Sequence, residues 1–189
     1  MGQVITAALA KEGYPVIMAC LDPEKAASLC NRIQQETGNT QIEVRRIDLA
    51  SLSSVNNFTG QLLKEGRPVS RLMNNAGILT TPVRKTEDGL ETIVSVNYVA
   101  PYMLTRQLLP LMQPGCRIVN TVSCTYAIGR IEPGFFEKGR NGRFFRIPVY
   151  SNTKLALLLF TQEFAERLQD KDITINASDP GIVSTNMIT

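Results

Sequence analysis

The sequence has no histidine and no tryptophan among its 189 residues, and aromatic residues make up only 6% of it. The missing histidine excludes whole classes of chemistry. No Ser-His-Asp or Cys-His nucleophile system and no His-ligated zinc can be assembled. Any proton transfer has to run through Tyr, Lys, Asp, Glu, Ser or Cys. The four cysteines, Cys20, Cys30, Cys116 and Cys124, contain no C-x-x-C pair. No metal or redox motif is indicated, and free thiols in a reducing, cytoplasmic compartment are expected. The longest aliphatic and aromatic run is LALLLF, residues 155–160, far short of the roughly 20 residues of a membrane span. Strong charge is missing too: the net charge is +3, with no Lys/Arg cluster, which is too mild to mark a nucleic-acid-binding face. The opening segment carries Lys11 and Glu12 and does not read as a secretory leader.

What is present is an ordinary globular composition, 43% hydrophobic and 20% charged, with a length that suits one domain over 1–189. Short apolar runs alternate with helical segments. Val4, Ile5, Ala8 and Leu9 recur at helical spacing up to Gly13. YPVIMAC (14–20), QIEVRRIDL (41–49), VSRLMNNAG (69–77), GCRIVNTVS (115–123) and ITINAS (173–178) read as strands. Helices are expected over 22–38, where Asp22 is the N-cap, Pro23 the first turn and Gly38 the stop, and over 51–66. A long helix over 86–112 should bend near Pro101, residues 124–148 should form a long loop, and another helix should cover 148–169. Apolar strands separated by helices imply a doubly wound parallel sheet in a three-layer αβα fold. Ligands in such sheets sit at the carboxyl ends of the strands.

Those ends carry polar or special residues: Cys20-Leu21, Asp48-Leu49, Asn74-Asn75-Ala76-Gly77, Ser123 and Asp179-Pro180-Gly181. Asn97, Tyr150 and Lys154 lie on helices that can face the same crevice. Singly, each has a plainer reading. Ser123 can be a strand-terminal loop starter, Asp48 a cap for the helix from Ser51, Pro180-Gly181 a turn, and Tyr150/Lys154 an exposed pair. Tyr150 and Lys154 share a helix face at i and i+4. A nearby ammonium favours phenolate and should lower the phenol pKa from its usual value near 10.

Together, NNAG (74–77), Asn97 in VNYVAPYMLT, Ser123 in IVNTVS, Tyr150 and Lys154 in YSNTK, and PGIVST (180–185) resemble the short-chain dehydrogenases/reductases. They fall in that family's order over almost the whole chain. The resemblance implies a Rossmann-type NAD(P)-binding domain that transfers hydride between a nicotinamide and a carbonyl/alcohol pair. Tyr150 would be the acid/base, Ser123 would hold the substrate oxygen, and Asn97 would support a water-linked proton path. Lys154 would bond the nicotinamide ribose. Asn75, Ala76 and Gly77 would let backbone pass close to the cofactor, with Gly77 taking an unusual turn. Asp48 would accept from the adenine amino group, with Leu49 beside it. Pro180, Gly181, Val183 and Thr185 would touch the carboxamide, and Gly2 with its helix N-terminus would face the pyrophosphate. No metal is implied, and a homodimer or homotetramer is.

Cys20 and Leu21 fall where relatives that prefer NAD carry an acid and those that prefer NADP an arginine. Neither is present, and neutral Cys20, which does not repel a phosphate, leans the choice to NADP. Ser123 and Tyr150 lie 27 positions apart, a long spacing that resembles the subgroup of retinol dehydrogenases and protochlorophyllide reductases. Phe135, Phe136, Phe144 and Phe145 in the insertion are either an apolar wall over a hydrophobic substrate or the loop's own small core. At the start only Met1-Gly2 stands where the family carries a strand and a T-G-x-x-x-G-x-G turn, and the family continues past 185 into a further strand. A piece of a longer protein, or a gap filled by another segment, is therefore expected. The competing function is a non-catalytic nucleotide-binding or scaffold protein with this fold.

Overall fold

The computed structural model describes residues 1–80, 82–136 and 143–181, with the side chains of 143–145 left aside. The chain divides into two compact units, Met1–Leu49 and Ala50–Thr189.

In the first unit, α1 (Gly2–Lys11), β1 (Val16–Cys20), α2 (Pro23–Thr37) and β2 (Ile42–Arg46) follow one another. β1 and β2 are parallel, with Val16 opposite Ile42 and Cys20 opposite Arg46. The ends of α2 are as the sequence dictates. Asp22 accepts from the Lys25 amide at 3.1 Å, Pro23 opens the helix, and Gly38 closes it in the left-handed region at φ 71°. The core joins Ala10, Cys30, Ile33 and Ile42, with Ala7 and Met18 packed against them. The anticipated apolar face of α1 is displaced: Val4 is 72% exposed, and the helix docks through Ala7 and Ala10. These small residues let two backbones approach, which bulkier ones would prevent. Asn39 ties the unit together, its Nδ2 donating to the Ala10 and Tyr14 carbonyls at 3.0 and 2.9 Å.

The second unit holds α3 (Leu52–Glu65), β3 (Val69–Asn74), α4 (Thr92–Val94), a π turn (Ser95–Val99), α5 (Ala100–Leu108) and a 3₁₀ turn (Leu109–Leu111). It continues through β4 (Met112–Thr121), a 3₁₀ segment (Cys124–Ile128), α6 (Arg143–Arg167) and β5 (Thr174–Ser178). The strands form a parallel sheet in the order β3-β4-β5, with Asn74 opposite Asn120 and Thr121 opposite Ser178. α5 and α6 both pack on β4. Their fully buried side chains include Leu157, Leu168, Ile118 and Ala100, the larger of them worth about 1.5–3 kcal/mol each. Asn74 and Asn120 are buried cross-strand partners: Asn74 Nδ2 reaches Asn120 Oδ1 at 2.8 Å and Thr105 Oγ1 at 3.1 Å, and Asn120 Nδ2 reaches Thr161 Oγ1 at 2.9 Å. This chain of amides fastens both helices to the sheet.

The α/β organisation with parallel strands is as expected, and the described strands form two sheets, β1-β2 and β3-β4-β5, as the absence of the family's central first strand implies. Three boundaries also move. The helix expected from 86 begins at Thr92, because Thr86 to Leu90 close a turn with Gly89 at φ 78° and Glu91 caps the helix beyond. β4 begins at Met112, inside what read as helix. α6 begins at Arg143 and carries Pro148 within its first turns, where the loop was expected to continue. Among the described residues no helix is long and apolar enough to cross a membrane.

Candidate active site

The carboxyl ends of β3, β4 and β5 run into Asn75-Ala76-Gly77, Val122-Ser123 and Asp179-Pro180-Gly181. Strand pairing continues past the last ladder pair, with the Val122 amide donating to the Ser178 carbonyl at 2.9 Å. α6 lays Tyr150 and Lys154 against these ends. Tyr150 is 7% exposed and hydrogen-bonded to the Ser123 side chain. Ser123 caps the 3₁₀ segment, accepting from the Thr125 amide at 3.4 Å, so the plainer reading of a loop-starting serine holds alongside its contact with Tyr150.

Lys154 is 2% exposed and donates to the Thr121 carbonyl at 2.7 Å, with Nζ 5.5 Å from the Tyr150 ring centroid. Burial lowers its pKa from 10.5 to about 8. Burial, as the leading cause, raises that of Tyr150; the bond from Ser123 opposes it, and the Asp179 and Cys124 charges add to it. The expected lowering of the phenol pKa by Lys154 is therefore not found. Desolvation of the phenolate outweighs any help from an ammonium that is directed to Thr121.

Asn97 is fully buried in the π turn. Its Oδ1 accepts from the Ile78 amide at 2.8 Å, and its Nδ2 donates to the Ile78 carbonyl at 2.9 Å and to Thr153 Oγ1 at 3.4 Å. The side chain is thus spent on holding the segment after Gly77. Any part in a proton path would fall to its main-chain carbonyl, to which Pro101 has no N–H to give. Gly77 does not adopt a positive φ, so the unusual turn expected of it is absent. Its value is space: a Cβ there would stand 3.4 Å from Asn97 Oδ1 and 3.6 Å from Lys154 Nζ. Asn75 Oδ1 is buried without a hydrogen-bond partner among the described residues. Gly181 does take the left-handed region, at φ 69°, and its amide donates to Asp179 Oδ1 at 3.0 Å. Val183 and Thr185 lie outside the described residues.

In the first unit, Gly2 is the first residue of α1, whose N-terminus has no side-chain cap. Cys20 ends β1 and Leu21 is 61% exposed. Asp22 is occupied as the cap of α2. Asp48 and Leu49 follow β2 and are half-buried; the cap of α3 is Ser51 rather than Asp48.

The family model described as enoyl-(acyl carrier protein) reductase matches residues 1–189. Retinol dehydrogenase 13 of Mus musculus is 36% identical over 191 residues, which cover 99% of this chain and 56% of that protein. An uncharacterised protein from Mycobacterium paratuberculosis has a solved structure that superimposes with a TM-score of 0.84 at 34% identity, over 99% of this chain and 67% of that one. The chain belongs to the short-chain dehydrogenase/reductase family. Within the family it falls with the retinol dehydrogenase-like subgroup, and it spans little more than half the length of the curated relative described above, 56%. A blue fluorescent protein from a metagenomic library, solved in complex with NADPH, is also similar, at 26% identity with a TM-score of 0.73 over 98% of this chain and 71% of that one.

The described start of the long insertion packs on the helices of the second unit. Phe135 and Phe136 pack on each other at 5.1 Å between ring centroids and on Tyr98 at 5.9 and 6.4 Å. With Tyr102, Phe160 and Phe164 they line a groove of about 540 Å³ that has none of Ser123, Tyr150 and Lys154 in its wall. Phe135 and Phe136 thus belong to an aromatic cluster on the helices that also lines a groove; the side chains of Phe144 and Phe145 lie outside the described set. Sequence reasoning missed Gly129, where a Cβ would stand 2.6 Å from the Ser151 carbonyl oxygen and 2.9 Å from Leu155 Cβ. It also missed the next residue, whose amide donates to Asn152 Oδ1 at 2.7 Å. Together they press the Ser123 segment onto the turn of α6 between Tyr150 and Lys154, and a glycine among loop residues carries no local signal of that.

Proposed function

We propose that the protein is an NAD(P)-dependent oxidoreductase that transfers hydride between a nicotinamide cofactor and a carbonyl/alcohol substrate. Tyr150 acts as the acid/base, Ser123 holds the substrate oxygen, and Lys154, Asn97, Asn75, Ala76 and Gly77 form the nicotinamide-ribose side. The observation that carries this reading is the buried Tyr150, hydrogen-bonded to Ser123, with Lys154 one helical turn away. The residues suit the cofactor. Lys154 commits one bond to Thr121 and an ammonium has three donors, Gly77 leaves a methyl-sized space beside it, and Asn75 Oδ1 has no partner among the described residues. The cofactor supplies the hydride. Tyr150, a phenol already protonated at neutral pH and held more firmly so by its burial, is in the form that gives a proton to a carbonyl oxygen, so this state serves reduction.

The lean is to NADP. In the first unit, register places the basic residue Arg46 beside Cys20, which supports a 2′-phosphate where neither an acid nor a neighbouring arginine decides. The names of the relatives point to an apolar alcohol or aldehyde of the retinol class as substrate. Titration by nucleotide fluorescence should give tighter binding of NADPH than NADH, and retinal or a similar apolar aldehyde should be reduced. Tyr150→Phe should lower kcat by at least about 10²-fold with the NADPH Kd within about threefold of wild type. Unchanged turnover would remove Tyr150 from its role, and absence of nucleotide binding would overturn the enzyme reading.

A further inference from the structure

Arg146 stands one helical turn ahead of Tyr150 on α6 and is fully buried. Its Nε donates to the Thr80 carbonyl at 3.0 Å and its Nη2 is ion-paired with Glu91 Oε1. Glu91 is equally buried, and its other oxygen caps α4, accepting from the Ile93 and Val94 amides at 2.8 and 3.2 Å. Three residues beyond Val94 is Asn97, which grips both polar groups of Ile78, two residues before Thr80. The contacts therefore close a ring through three segments: 75–80, with Asn75 and Gly77; the α4–π turn run, with Asn97; and α6, with Tyr150 and Lys154. Arg146 and Glu91 are the link by which α6 joins it.

We propose that Arg146 and Glu91 are positioning residues that set the rotation and height of α6, and with it Tyr150, against Asn97 and Gly77. The proposal rests on Tyr150 being the acid/base. Stability alone is a poor account of the pair. A buried ion pair is commonly matched or exceeded by apolar residues of similar volume, and this one leaves Arg146 Nη1 buried with no hydrogen-bond partner among the described residues, an unfavourable arrangement. What an apolar pair could not supply is direction. The guanidinium binds a backbone carbonyl and a carboxylate along two fixed axes, one turn from the phenol.

The test uses the full-length protein with 13Cζ-labelled tyrosine, the Tyr150 signal being assigned by its loss in Tyr150→Phe. In Arg146→Met and in Glu91→Leu/Arg146→Met, the Tyr150 resonance should shift or split while the circular dichroism stays that of wild type. kcat should fall by about 10²-fold, the effect of a misplacement near 1 Å, with KM changed by less than about threefold. Arg146→Lys keeps the charge opposite Glu91 but not the fork, and should recover to within about tenfold of wild type. A wild-type Tyr150 signal in the double variant overturns the proposal, as does a kcat loss that Arg146→Lys does not relieve. If the methionine variants do not fold, Arg146→Lys decides alone: wild-type signal and kcat overturn the proposal, and a shifted signal with a partial kcat loss supports it. The resonance needs no turnover. A wild-type protein that binds NADPH yet reduces no carbonyl therefore fails the oxidoreductase reading separately.

Discussion

Lys154 shows how much a single buried charge can matter. Its folded-state pKa is about 8 against an ordinary 10.5, so the unfolded chain binds the extra proton throughout the interval between them. Stability must then rise with pH across that interval, because the penalty for burying the ammonium is present below pH 8 and gone above 10.5. For a group this buried the change is about 3 kcal/mol. Comparing urea unfolding of wild type and Lys154→Met from pH 7 to 10.5, the difference should move in favour of wild type by that order. A difference that stays flat with pH would show that Lys154 is not desolvated as described. The same burial explains why residue type alone did not settle the site. Tyr-x-x-x-Lys places the two groups on one face, but whether the ammonium lowers the phenol pKa depends on where Nζ points, and the Thr121 carbonyl claims it. Arg146 and Glu91 were illegible for a related reason. Charged residues at helix ends ordinarily face water, and only the tertiary fold buries these two against each other.

Among the elements, the π turn Ser95–Val99 carries the most consequence. Two residues after it ends comes Pro101, which cannot donate to the Asn97 carbonyl and so blocks regular α winding at that point. The extra residue in the turn rotates Asn97 to face Ile78. Pro101→Ala restores the donor and lets the helix wind regularly, at a gain in intrinsic helix propensity. The expected result is exchange of the Ile78 amide faster by about tenfold, the factor that ~1.4 kcal/mol of lost hydrogen bonding gives, with reduced turnover. Unaltered Ile78 exchange by mass spectrometry or NMR would separate the turn from the proline. The sequence signalled a bend near Pro101, but not its kind. Nor did it place the helix start, because Thr86 and Glu91 satisfy backbone groups with their side chains and so compete with the helix locally.

For the whole molecule, five motifs in order, three at strand ends and two on helices, made the family legible. The division of the strands into two sheets was legible through the resemblance rather than through periodicity: in the family's strand order the strand for which only Met1-Gly2 stands lies in the middle of the sheet, and without it two half-sheets are expected. If the chain binds the nicotinamide cofactor, saturation should stabilise all of it by mass action. At about 100 times Kd, NADPH should add roughly 2.7 kcal/mol, seen as a rise in Tm that NADH at the same concentration reproduces only in part. An equal rise with both nucleotides would remove the lean to NADP. Gly129 and Arg130 have a last consequence, for distance rather than chemistry. They fasten the outgoing chain to α6 at Ser151, Asn152 and Leu155 before the stretch that separates them from Arg143 begins. With the chain held at the helix by these contacts, the approach of the Ser123 segment to α6 is set before residue 131 is reached. The 27 positions between Ser123 and Tyr150 in sequence are therefore no measure of how near the two side chains lie: a glycine and one amide, not the length of chain between them, decide it.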